Sequence, residues 1–90
     1  MSDVMTMFMQ MPCAQCGIKP CNANYIKPLE CGGSPEYFNY IPLCVKHCHE
    51  HMRIGTIAMS DKYTNVKKYI SDKGWEFGKK LHHRDLKGEQ

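Results

Sequence analysis

Two short chelating pairs constrain this chain more than any other feature. Cys13-Ala-Gln-Cys16 is followed by Gly17, and Cys44-Val-Lys-His47 repeats the same two-residue spacer after residues 17–43. Each pair can set two ligand atoms on one ion. Together they make the three-cysteine, one-histidine set that holds structural zinc in tetrahedral geometry. Gly17 can adopt a positive φ, which lets backbone amides turn toward the first pair of sulfurs. The other use of a Cys-x-x-Cys pair, a thioredoxin-like redox couple, needs a βαβ frame, and the sequence shows none.

The size of the chain makes such a staple necessary. Ninety residues form one small domain, burying roughly 60–65% of the unfolded surface. Branched aliphatic residues are sparse, and the hydrophobic fraction of 42% includes 6 Cys and 7 Met. An aliphatic core alone is marginal at this length. Zinc binding is worth on the order of 10–16 kcal/mol in small modules, as much as the whole stability of an ordinary domain. The metal-free chain is therefore expected to be largely unfolded.

No run of 18 apolar residues occurs, so no transmembrane helix is expected. The sequence has Asp3 and no Lys or Arg before Lys19, unlike a secretory signal. The chain is expected to be cytoplasmic, where thiols stay reduced, and its cysteines point to metal before disulfides. Cys21, Cys31 and Cys48 remain over, with His49, His51, His82 and His83. They offer either a second metal, through Cys48, His49 or His51 with Cys21 or Cys31, or buried thiols and solvent-facing imidazoles.

Periodicity gives a coarse α+β outline. Val4, Met7, Phe8 and Met11 have helical spacing. Glycines and prolines break residues 13–36, leaving only Tyr25-Ile26-Lys27 extended. Tyr37-Phe-Asn-Tyr-Ile-Pro-Leu43 reads as a strand, which Pro42 confines to an edge. One helical pattern runs from Val45 to about Met59. A second helix is expected over about 61–73, capped by Ser60 or Asp61 and closed by Gly74. Trp75 and Phe77 are expected to fold back onto it. The domain is set at 1–78, with 79–90 as a basic C-terminal tail.

The net charge of +3 is unevenly placed, with eight basic against five acidic residues in 60–90 and four of each before. Such an excess is either a solvated face or a phosphate-facing surface. On the second reading Lys46, Arg53, Lys67, Lys68, Lys79 and Lys80 supply phosphate contacts, and Tyr37, Tyr40 and Trp75 stack on bases. The Met-rich segment 4–11 and the aromatic segment 37–41 offer a protein-contact surface instead. A small-molecule substrate is not indicated.

Residues 11–55 resemble the HNH nucleases, the ββα-metal finger or treble-clef group, and more narrowly the phage-encoded recombination-enhancement type. Pro12-Cys13-x-x-Cys16-Gly17, Ile41-Pro42-Leu43-Cys44-x-x-His47 and Ile54-Gly55 carry the resemblance, with Asn39 at the family's middle Asn. It implies two short strands and a helix around one structural zinc, followed by a C-terminal helix. It also implies a catalytic His, a metal-binding His and a divalent cation for DNA cleavage. In this chain Tyr25 stands at the base position, Cys48 at the metal-binding His and Met52 one turn on. A phenol is a weak base at neutral pH, and thiol and thioether are too soft for Mg²⁺. The resemblance thus implies a non-catalytic phage or prophage module that binds DNA or a host DNA-processing protein. The alternative is a metal-dependent endonuclease working with Mg²⁺ or Mn²⁺ through Tyr25, Asn39 and His51.

Overall fold

A computed structural model describes residues 3–77 and 81–83. The chain is α+β, with two small antiparallel sheets and four α-helices among the described residues. Helix α1 (Asp3–Met9) leads into the Cys13–Gly17 turn and then strand β1 (Asn22–Tyr25). Strand β2 (Tyr40–Leu43) returns antiparallel to β1, pairing Asn22 with Leu43 and Tyr25 with Tyr40. Helices α2 (Val45–Ile54), α3 (Thr56–Lys62) and α4 (Thr64–Asp72) follow, then strands β3 (Trp75–Glu76) and β4 (His82–His83). No helix among the described residues is long and apolar enough to cross a membrane.

The core lies between the β1–β2 ribbon and the helices. Phe8, Ile26, Ile41, Leu43, Met59, Val66 and Ile70 are essentially inaccessible to solvent. Pro42 has no N–H for the ladder, but its carbonyl accepts the amide of Ala14 at 2.8 Å. That bond fixes the first chelating turn to the second strand. The amide of Cys21 donates to Met9 O at 3.0 Å, which ties the end of α1 to the start of β1.

Four expectations need correction. The helical pattern of 45–59 is not one helix: Gly55, at φ 87°, ends α2 and redirects the chain into α3. Ser60 does not cap the next helix; it lies buried within α3, and Tyr63 occupies the position before α4 without a side-chain cap. Residues 37–39 form a 3₁₀ turn, and the strand begins at Tyr40. Finally, residue 78 does not end the packed chain. Leu81 is buried and His82–His83 pair with Trp75–Glu76, because the His83 ring stacks on Phe38 at 4.1 Å and meets Trp75 edge-on. Lys79, Lys80 and residues 84–90 of the expected tail lie outside the described residues.

Asn39 closes the long connection between the two strands. It is fully buried; its Oδ1 accepts the Lys27 amide at 2.8 Å, and its Nδ2 donates to Lys27 O and Ser34 O at 2.9 and 2.7 Å. Gly33 sits against the same carbonyl so closely that a Cβ there would lie 2.0 Å from Lys27 O. Backbone must move to admit any side chain. Gly33→Ala is therefore expected to cost on the order of 1–3 kcal/mol, the range for overpacking a well-filled site. Thermal unfolding of the metal-loaded protein checks this, and a melting temperature equal to that of the parent would contradict the packing described.

Candidate metal centre and adjoining cleft

The loop after α1 supplies Cys13 and Cys16, and the β2–α2 junction supplies Cys44 and His47. Their ligand atoms all lie within 4.8 Å of one another. Cys13 Sγ is 3.6 Å and Cys44 Sγ 3.4 Å from His47 Nδ1, and Cys16 Sγ is 3.7 Å from Cys44 Sγ. Bonds of about 2.3 Å to sulfur and 2.0–2.1 Å to nitrogen at tetrahedral angles require spans of about 3.8 Å between sulfurs and about 3.5 Å between sulfur and nitrogen. Three of the six spans match a tetrahedral site, and the four side chains together could hold one ion. Cys13, Cys44 and His47 are buried, while Cys16 is exposed.

Local backbone prepares this arrangement. Gly17, at φ 80°, closes the turn by donating its amide to Cys13 O at 2.9 Å. Burial pushes the Cys13 thiol up, but backbone hydrogen bonds from Cys44, Cys16 and Gln15 outweigh it and bring the group down to about 6. Its thiolate is the form a metal takes. The His47 ring meets Tyr63 edge-on at 5.3 Å, and the Tyr63 hydroxyl donates to Glu50 at 2.6 Å. The segment between α3 and α4 therefore braces the histidine from behind, a contact no motif in the sequence announces.

The leftover cysteines do not assemble a second centre. Among the described residues, Cys13, Cys16, Cys44 and His47 are the one group of three or more such side chains that converges. Cys21 is buried beside the cluster, its thiol donating to Ile18 O at 3.2 Å. Burial, and then the charges of Cys13, Cys44 and Cys16, push it up to about 11, so it stays protonated. Cys48 is buried in α2 and points its thiol at Asn24 Oδ1, 3.4 Å away. Cys31 and His49 are exposed.

The three residues expected to act together in cleavage separate into two places. Asn39 is occupied under the 27–34 connection, as described above. Tyr25 and His51 instead line one cleft of about 970 Å³ between the end of β1, the 3₁₀ turn Leu29–Cys31, α2 and α3. His51 Nε2 lies 2.7 Å from Thr56 Oγ1, whose hydroxyl donates to Ile26 O at 2.5 Å. Burial holds the His51 imidazole below its usual range. Neither the cleft nor the role of Thr56 has a signature in the sequence, because both depend on the break at Gly55.

The basic residues also divide. Lys68 pairs with Asp72 at 3.3 Å, and Lys67 lies over the Phe77 ring at 5.5 Å. Lys46 and Arg53 are exposed on α2 and make no ion pair among the described residues. Tyr40 and Trp75, expected as stacking surfaces, are core residues: Tyr40 stacks on Tyr25, and Trp75 Nε1 donates to Phe38 O. Tyr37 is exposed. Compared with family models, curated proteins and solved structures, the chain finds no match.

Replacing Cys16, the exposed ligand, tests the centre with the least disturbance to the core. The purified chain is expected to carry one tetrahedrally bound transition-metal ion per molecule, and Cys16→Ser to lose most of it together with helical circular dichroism. Cobalt substitution supplies a second readout, since thiolate ligation gives an intense visible charge-transfer band. Full helicity in the presence of excess chelator is the contrary outcome.

Proposed function

We propose that this protein is a zinc-clamped finger that binds nucleic acid through α2 without cleaving it. Three thiolates and an imidazole in a tetrahedral array suit zinc among the common ions. The order β1, β2, α2, with the candidate ion held between the first turn and α2, supports the ββα-metal arrangement of HNH-like proteins. Cys48 and Asn39, at two of the positions that carry the chemistry in that family, are both engaged in internal hydrogen bonds. This supports a scaffold kept for its shape.

One observation carries the choice of ligand. The solvent face of α2 presents Val45, Lys46, His49, Met52 and Arg53, and its one acidic residue has been withdrawn. Glu50 is bound by Lys62 and by the Tyr63 hydroxyl, which together hold its carboxyl below the usual range. What remains is cationic and flanked by apolar surface. Lys46 and Arg53 are two turns apart on the same side, a rise of about 10.5 Å. That equals the axial rise of about three base pairs of B-form DNA at 3.4 Å each. DNA is the form the HNH-like arrangement favours.

Affinity for a fluorescent DNA oligonucleotide should fall linearly in a plot of log affinity against log salt. Lys46→Glu with Arg53→Glu should weaken binding at low salt by at least tenfold and flatten the slope by about one per lost phosphate contact. The same pair of changes should leave metal content and unfolding temperature near the parent values. Binding that ignores both salt and charge reversal would favour instead a protein partner on the exposed Met5, Met7 and Met9 of α1.

A further inference from the structure

We propose that the cleft beside α2 receives an unpaired base of the strand whose phosphates run along that helix. The inference rests on the nucleic-acid reading above and adds to it the part of the ligand that the cleft would recognise.

The cleft is continuous with the cationic face. Met52 belongs to both, 74% exposed on α2 and part of the cleft wall, and Ile57, also in the lining, is 42% exposed. Such apolar surface in a cleft is covered well by a flat π-system, and every base presents one. A volume of about 970 Å³ admits a base with its sugar and leaves room for a neighbour. Arg53 follows Met52 directly, and Lys27 lies on the β1 side of the cleft. Lys27 in the lining and Arg53 exposed on α2 thus offer cations to the adjoining phosphates. Glu30, also in the lining, disfavours a phosphate inside the cleft and turns the backbone outward.

His51 supplies the polar element. The Thr56 hydroxyl has a single proton, and that proton goes to Ile26 O. Thr56 Oγ1 can therefore meet His51 Nε2 only as an acceptor, so the imidazole carries its proton on Nε2 and its Nδ1 is a lone-pair acceptor. Nδ1 has no hydrogen-bond partner among the described residues, and it is not sealed from solvent. Burial keeps the ring neutral by lowering its affinity for a second proton. A lone acceptor in the wall of an apolar cleft matches the amine or ring N–H on the hydrogen-bonding edge of a base. In a duplex that edge is already paired, so the occupant is an unpaired base.

The test compares two fluorescein-labelled single strands of equal length, one of ordinary deoxyadenosine nucleotides and one abasic throughout, by anisotropy with the full-length metal-loaded chain. The ordinary strand should bind about tenfold or more tightly than the abasic one. Met52→Ala with Ile57→Ala should bring the ratio of ordinary-strand to abasic-strand affinity close to one. Both positions are exposed, and unchanged metal content and unfolding temperature will show that the fold is intact. Equal binding of the two strands, or an undiminished preference in the double variant, overturns the base site while the phosphate-binding reading stands. Failure of both strands to bind at low salt overturns both.

Discussion

The closure of residues 13 and 16 onto residues 44 and 47 organises everything else in this molecule. A single ion would convert four side chains, distant in the chain, into one rigid node. The elements that meet there are short. Each β1–β2 strand has four residues, and an isolated two-stranded ribbon is marginal in water. Helix α2 has ten residues, below the length at which a helix persists by itself. Such a node would fix the angle between ribbon and helix, around which the apolar side chains pack.

The backbone extends this constraint outward. Ala14 donates to Pro42, so the first chelating turn and β2 move as one body. Asn39 holds Lys27 and Ser34, so the connection between the strands is folded against the ribbon. Tyr63 backs His47 and binds Glu50, which links the metal side of α2 to the start of α4. The same Glu50 contact strips negative charge from the outer side of α2. One helix thereby serves three environments: ligand toward the centre, thiol toward β1, and cations toward solvent.

The ligand set could be read from the sequence because chelation by adjacent side chains is a local property. A two-residue spacer brings Cys13 to Cys16, and Cys44 to His47, whatever the rest of the chain does. Helix α1 and the extended 40–43 segment were legible for the same reason, through short-range periodicity. The break at Gly55 was not, since the apolar pattern runs on through Ile57 and Met59 and only the packing of α3 requires the turn. The cleft depends on that turn, so Thr56 and the proton arrangement at His51 were hidden with it. Pairing of His82–His83 with Trp75–Glu76 was equally invisible: a two-residue strand has no period, and the stacking of His83 on Phe38 is a long-range contact. Asn39 stood out through its motif position, but its three bonds to backbone are a matter of tertiary geometry.

Helix α1 depends on the node at second hand. It is attached where the Cys21 amide meets Met9 O and where Phe8 rests on Tyr40, anchors that an ion at the four-residue cluster would help to hold. Its seven residues are too few to stay wound once those anchors go. Digestion of the N-terminal segment by an added protease would consequently gauge ion occupancy at a distance, with cleavage among its methionines becoming fast only in molecules that have been emptied.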